Sequence, residues 1–159
     1  MKDSFIYKSP IGMLKICENE GRITNLYLQQ GDPSMVSMQN NVQHSDLLYE
    51  AYKQLEEYFR GNRKQFDLPL HYAGTPFQRQ VWSELQNIPY GETRCYEDIA
   101  IGIGNEKAVR AVGQANNRNP IMIIVPCHRV IRKNGEIGGF GCGIEVKEYL
   151  LNLEKGKRK

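Results

Sequence analysis

β-prone runs come first along this chain, and a helical period of apolar residues follows. Phe5 to Lys8, Met13 to Cys17 and Ile23 to Gln29 are rich in β-branched and aromatic residues, and Pro10-Ile11-Gly12 and Asn19-Glu20-Gly21 separate them. Short runs divided by turn-forming residues predict an antiparallel meander. Residues 30 to 44 are polar and aperiodic and predict a loop. Leu48, Ala51, Tyr52, Leu55 and Phe59 then recur at helical spacing until Gly61 ends the pattern. Asn62 to Gly74, with Pro69 and Gly74, reads as a connector between two lobes.

The second half opens on a helix start. Thr75 can cap, Pro76 suits the first helical position, and Gln78 completes a capping box. Phe77, Val81, Trp82, Leu85 and Ile88 follow on one face, and Pro89-Tyr90-Gly91 ends the helix. A second short helix is predicted from Tyr96 to Ile101, then the turn Gly102-Ile103-Gly104-Asn105, then a third helix. Ala108, Ala111, Gly113 and Ala115 give that third helix a surface of very small side chains around one long one, Arg110. Two short helices joined by a glycine-containing turn make a helix-turn-helix candidate, although most such pairs are structural. The five apolar residues Ile121 to Val125 read as a buried strand leading into Pro126-Cys127-His128-Arg129-Val130. After them come Asn134-Gly135, a hairpin signal, the glycine-rich loop Gly138 to Gly143, and a last amphipathic helix through Glu154. The expected fold class is α+β: an antiparallel sheet plus helix over residues 1–74, and a mainly helical lobe with the helix-turn-helix over 75–159.

With 159 residues, 40% hydrophobic and 25% charged, the chain can bury one good core or two small ones. No run approaches a bilayer span, and no signal-like apolar stretch follows Met1-Lys2-Asp3-Ser4. The expected setting is the cytoplasm, with no membrane partner. Cys17, Cys95, Cys127 and Cys142 lie at irregular spacings without a Cys-x-x-Cys, so neither a disulfide framework nor a zinc knuckle is visible. The net charge of +3 is mild but uneven: residues 1 to 75 carry 8 basic and 9 acidic side chains, residues 76 to 159 carry 13 and 9. Any polyanion site therefore belongs to the second half. Lys155, Lys157, Arg158 and Lys159 read as a solvated tail.

Cys127 is the candidate nucleophile. A free thiol has a pKa of roughly 8.5, so a nucleophilic cysteine needs a neighbouring base or positive charge. His128 and Arg129 are adjacent in sequence, but neighbours in an extended segment point opposite ways, and a bridging water is the natural intermediary between Cys127 and His128. Taken alone, the dipeptide favours a buried structural cysteine beside a surface histidine.

The whole stretch from Thr75 to Glu154 resembles the O6-alkylguanine-DNA alkyltransferases. The residues that carry the resemblance are Phe77-Gln78 with Val81-Trp82, Ile88-Pro89-Tyr90-Gly91, Tyr96, Ala108 through Gly113 with Arg110, Asn119-Pro120, and above all Pro126-Cys127-His128-Arg129-Val130. The first half is similar to the family only in its strand-strand-helix order. Some members carry zinc, but Cys17, His44 and His71 are too few and too scattered to make a site.

The resemblance implies roles. Cys127 accepts the alkyl group, His128 acts through water as its base, and Glu154 orients the imidazole as in a triad. Tyr96 protonates the departing guanine at N3, and Asn119 holds the active-site turn, although Asn119 is also a plain turn residue before proline. The lesion lies inside the duplex, so the nucleotide must be extruded, at a cost of a few kcal/mol. Arg110 fills the vacated stack, and Ala111, Gly113 and Ala115 let the helix approach the minor groove closely. Val130 and the loop Phe140-Gly141-Cys142 line the base pocket. Two departures stand out: Phe140 lacks a tyrosine hydroxyl, and Cys142 places a second thiol near the pocket, a bystander because it lacks the His and Glu partners. The implied partner is double-stranded DNA carrying O6-alkylguanine, with O4-alkylthymine left open. A monomer with no metal and no organic cofactor is expected.

Two other classes compete. A lesion-flagging alkyltransferase-like module keeps the DNA-binding helix but lacks the acceptor cysteine, whereas Cys127 is present here. A Cys-His hydrolase would need an oxyanion hole and a water-driven turnover step.

Overall fold

The computed structural model describes residues 2–30, 44–139, 141 and 143–156. Within it the chain forms two compact units, Met1–Tyr72 and Ala73–Lys159. The loop expected over residues 30 to 44 lies outside the described residues from 31 to 43, as do Phe140, Cys142, Lys157, Arg158 and Lys159. No described helix is long and apolar enough to cross a membrane.

The first unit is the predicted meander. Strands β1 (Lys2–Ser9), β2 (Gly12–Asn19) and β3 (Arg22–Leu28) pair antiparallel in chain order, with Phe5 opposite Ile16 and Ile16 opposite Leu26. Helix α1 (Asp46–Phe59) starts where the Ser45 hydroxyl accepts from the Leu48 N–H at 3.2 Å. Its buried stripe of Leu48, Ala51, Leu55, Tyr58 and Phe59 provides the unit's core together with Leu14, Ile16, Ile23 and Leu26. Aromatic rings join sheet to helix, with Tyr52 5.2 Å from Phe5 and 5.1 Å from Tyr7. The connector then returns along β3, where the Ile23 N–H donates to Pro69 O at 2.8 Å and the His71 N–H to Ile23 O at 2.9 Å.

The second unit begins with α2 (Pro76–Leu85) and a complete capping box: Gln78 N donates to Thr75 Oγ1 at 3.1 Å, and Thr75 N to Gln78 Oε1 at 3.0 Å. Val81, Trp82 and Leu85 are its buried face. Helices α3 (Tyr96–Gly102) and α4 (Val109–Asn117) form the predicted helix-turn-helix, and Trp82 Nε1 donates to Ala115 O at 2.8 Å, fixing α4 on α2. Two two-residue strands, β4 (Arg94–Cys95) and β5 (Val130–Ile131), pair in parallel. Helix α5 (Ile144–Glu154) ends the unit.

Two expectations need correction. Ile121 to Val125 is fully or mostly buried, as its apolarity requires, but it is not a strand. It folds into tight turns, with Ile124 N donating to Met122 O at 2.7 Å, Val125 N to Ile121 O at 3.0 Å, and Ile123 in the left-handed region at φ 71°. Satisfying its own backbone in this way removes the need for a neighbouring strand. At Asn134-Gly135 the turn does form, closed by Arg132 N to Glu136 O at 2.8 Å, but no hairpin continues from it, because β5 pairs with β4.

Candidate active site

The Ile121 to Val125 turns deliver the chain into a 3-10 turn, Cys127–Arg129, in which all three side chains are buried. Asn119 controls the approach: its Nδ2 donates to Val125 O at 2.7 Å while its Oδ1 accepts from Ile121 N at 3.0 Å. One side chain thus clamps both ends of the irregular segment. Asn116, on α4, donates from Nδ2 to Cys127 O at 3.3 Å. Cys127 itself is 4% exposed.

His128 points at the end of α5, with Nε2 2.6 Å from Glu154 Oε2. A carboxylate only accepts, so Nε2 carries the proton; a neutral ring then presents Nδ1 as a lone-pair acceptor. Nδ1 is buried and has no protein partner. Burial pushes the His128 imidazole below its ordinary value, with Glu154 pulling the other way. Burial alone would raise the Glu154 carboxyl, but hydrogen bonds and charge from His128 and Arg129 hold it below the usual carboxylate range. The outcome is a neutral base oriented by an anion.

Arg129 completes the arrangement, and sequence reasoning assigned it no such part. Its Nε donates to Glu154 Oε1 at 2.8 Å, Nη2 to Oε2 at 3.0 Å and Nη1 to Ile88 O at 2.7 Å. The planar fork meets the carboxylate at both oxygens, the geometry that makes arginine the partner for a buried acid. Gly91 N–H also donates to Glu154 Oε1, at 3.2 Å, from a backbone with φ 80° that glycine adopts without strain.

Tyr96 is half-buried, and burial raises its hydroxyl, so it stays a phenol able to donate at neutral pH. Gly138, at φ 77°, lets the loop pass it: a Cβ there would lie 3.2 Å from the Tyr96 hydroxyl. Lys147 was missed. Its side chain is fully buried on α5, with Nζ 2.6 Å from Val130 O. Lys147, Leu150, Leu151 and Glu154 follow the i, i+3, i+4, i+7 pattern of one buried face, which is the signal that could have found it.

On α4, Arg110 and Ala111 are exposed and Gly113 is half-buried, its α-carbon facing the Tyr96 ring. Ala115 does not belong to that surface. It is 2% exposed, because α4 turns Val112, Ala115 and Asn116 toward the core and Trp82 occupies the Ala115 carbonyl. Val130, three residues after Cys127, is fully buried. Gly141 runs so close to the end of α4 that a Cβ would meet Asn117 O at 3.0 Å. Among the described residues no group of His, Cys, Asp and Glu is placed to hold a metal ion.

The pair His128 and Glu154 fixes an acid-side prediction. An imidazole kept neutral by burial binds a proton less readily than in the unfolded chain, so the unfolded state gains protons first as pH falls below about 6.5. Stability is expected to fall through that window, and to fall further at lower pH as Glu154 is protonated. Melting curves by circular dichroism between pH 7 and 5 should show a shallower loss for His128→Gln than for the unaltered chain; parallel curves would refute the assignment.

The chemistry that this geometry allows is proton removal beside a buried thiol, next to a helix-turn-helix, and both units have counterparts in known proteins. The family model of the 6-O-methylguanine DNA methyltransferase DNA binding domain matches residues 76–156, and that of the ribonuclease-like domain of the same enzymes matches residues 5–72. The constitutive methylated-DNA--protein-cysteine methyltransferase of Bacillus subtilis is 52% identical over 152 residues, covering 93% of this chain and 92% of the relative. The methylated-DNA--protein-cysteine methyltransferase of Methanosarcina acetivorans is 48% identical over 149 residues, covering 94% of this chain and 96% of the relative. Among solved structures, Mycobacterium tuberculosis OGT in complex with DNA superposes with a TM-score of 0.85 at 41% identity, covering 98% of this chain and 94% of that one. Matched in both units, and nearly half identical to such relatives along almost its whole length, the chain belongs to the 6-O-methylguanine DNA methyltransferase family.

Proposed function

We propose that this chain repairs alkylated DNA by transferring the alkyl group from O6 of guanine to Cys127. The observation that carries this reading is the buried Cys127 followed by a neutral His128 whose Nδ1 is open and whose Nε2 is held by Glu154. His128, through a water, takes the thiol proton. The sulfur attacks the alkyl carbon, the carbon–sulfur bond forms, and the carbon–O6 bond breaks toward guanine, which takes up a proton from Tyr96 at N3. The thiol proton held on His128 restores the phenol through solvent, so the step is neutral overall.

A thioether has no labile bond for water to attack, so the reaction is stoichiometric, one group per chain, and irreversible. Double-stranded DNA carrying O6-alkylguanine is the substrate and O4-alkylthymine a second one to test; the chain acts as a monomer in the cytoplasm without an organic cofactor. The second unit grips DNA and extrudes the damaged base, whose poor pairing lowers the cost. Val130 and Gly141 bound the base pocket in this reading, and Arg110, with Ala111 and Gly113 beside it, enters the minor groove.

The test is transfer of radiolabelled methyl from O6-methylguanine in a duplex to the reduced protein, with peptide mapping. One label per chain, on the Cys127 peptide, is the expected result. Binding without transfer would favour a lesion-flagging module, label on Cys142 would move the acceptor, and steady product release from an ester would indicate a hydrolase.

Arg110 gives a second test. Arg110→Ala is expected to weaken binding to lesion-containing duplex by about 1–3 kcal/mol, read by fluorescence anisotropy. The slope of log affinity against log salt should hardly change, because the side chain fills a stack and neutralises no phosphate. A slope reduced by about 1 would place Arg110 on a phosphate instead.

A further inference from the structure

Tyr96 lies between two elements. On one side is α4, where a Cβ on Gly113 would lie 3.9 Å from Tyr96 Cδ1. On the other is the turn that follows β5. Arg94 pairs with Val130 and Cys95 with Ile131 in parallel, so the residues that come next, Tyr96 and Arg132, leave the two strands side by side. Gly138 marks how close they stay: a Cβ there would lie 3.2 Å from the Tyr96 hydroxyl and 3.3 Å from Arg132 Cγ. The stem of Arg132 and the candidate proton donor thus border one point of the loop.

The Arg132 backbone is fixed, because its N–H donates to Glu136 O at 2.8 Å and its carbonyl accepts from the Gly135 N–H at 2.9 Å. Its guanidinium is held far more loosely. Nη1 is 3.8 Å from Glu136 Oε2, with the two side chains 60% and 67% exposed. An ion pair so open to water contributes little and is readily exchanged for a better anion. Glu97, the acid next to Tyr96, is taken by Lys133, whose Nζ is 3.3 Å from Glu97 Oε1. In guanine, a single ring carbon separates N3 from N9, the atom that carries the deoxyribose. A hydroxyl that protonates N3 therefore stands beside the sugar of the extruded nucleotide, and a cation bordering that hydroxyl faces the phosphates on that sugar. The guanidinium fork matches two oxygens of a phosphodiester.

We propose that Arg132 clamps a phosphate of the extruded nucleotide, exchanging Glu136 for it as the base enters, and so holds N3 on the Tyr96 hydroxyl. It is a positioning residue, acting on the sugar-phosphate while Tyr96 acts on the base. This rests on the reading of Cys127 as acceptor and Tyr96 as proton donor. It divides the work of the two arginines: Arg110 fills the stack that the nucleotide has left, and Arg132 holds the nucleotide that has left it.

The experiment measures binding of the full chain to duplexes carrying O6-methylguanine, by fluorescence anisotropy at several salt concentrations. In a second duplex both phosphates of the lesion nucleotide are methylphosphonates, which keep the shape of the linkage and remove its charge. Arg132→Met is expected to lower the slope of log affinity against log salt by about 1 and to bind the ordinary duplex about fivefold more weakly. The methylphosphonates should cost the unaltered chain about fivefold more than they cost Arg132→Met, because one contact can be lost only once. Arg132→Lys should recover most of the salt slope. Lys53→Met, which removes one exposed charge from α1 in the first unit, should leave the slope unchanged. An unchanged slope for Arg132→Met would overturn the proposal, as would methylphosphonate costs equal in the two proteins, which would put Arg132 on another phosphate. A slope lowered as much by Lys53→Met would reduce the effect to net charge and overturn it too. If Arg132→Met does not fold, the unaltered chain still decides: binding indifferent to the methylphosphonates overturns the clamp. A phosphate-coupled Arg132 in a chain that takes no methyl on Cys127 would sink the acceptor reading alone; transfer to Cys127 without that coupling would sink this one alone.

Discussion

Cys127→Ser is expected to lose methyl transfer by a factor of about 10⁴ or more while keeping lesion-DNA affinity within a few fold. The substitution exchanges sulfur for oxygen and changes little else, since the side chain is almost completely buried and its backbone carbonyl stays bonded to Asn116. What is lost is acidity and polarisability. His128 is a neutral imidazole whose basicity is lowered by burial, sufficient to take a proton from a thiol but far too weak to generate an alkoxide. Single-turnover transfer assays with labelled duplex measure the first quantity and anisotropy the second. Transfer by the serine variant within about 100-fold of the original would mean that another residue accepts the group.

The second large effect is thermodynamic. Arg129→Met is expected to destabilise the protein by about 3–5 kcal/mol, because it leaves a buried carboxylate without its main partner. The two side chains are 8% and 1% exposed, so water cannot replace the lost bonds. Glu154 would keep His128 and the Gly91 N–H. Urea denaturation of Arg129→Met, Glu154→Gln and the double variant measures the coupling. The double variant should be more stable than Arg129→Met alone, since the stranded charge is gone. A cost below about 1 kcal/mol would class the pair with exposed ion pairs.

Local signals carried the farthest from sequence to structure. The Thr75–Gln78 capping box, the apolar stripe of α1 and the two short helices around Gly104 depend on residues a turn apart, and each formed where its spacing placed it. The motif around Cys127 is equally local, and it named the thiol, the imidazole and, through resemblance, the acid. Ile121 to Val125 was not legible, because a short apolar run states only that a segment is buried. Its turns depend on Asn119 reaching across to Val125 O. Arg129 and Lys147 escaped for a related reason: what each side chain binds depends on where α5 packs, and that contact joins residues 25 and 17 apart in the chain. The face of Ala115 was misjudged because a small side chain fits a core as well as a groove; the Trp82 bond to its carbonyl decides between them.

The bond from Asn116 to the Cys127 carbonyl reaches from the last turn of the helix that carries Arg110 to the backbone of the proposed acceptor. Helix and sulfur are thereby built as the two jaws of a caliper. In the proposed reaction, how far an extruded nucleotide must swing is then a length set in the protein before any DNA arrives. Alkyl groups whose carbon is presented short of that length, or beyond it, would escape repair however reactive they are, so the range of lesions removed is a matter of reach as much as of chemistry.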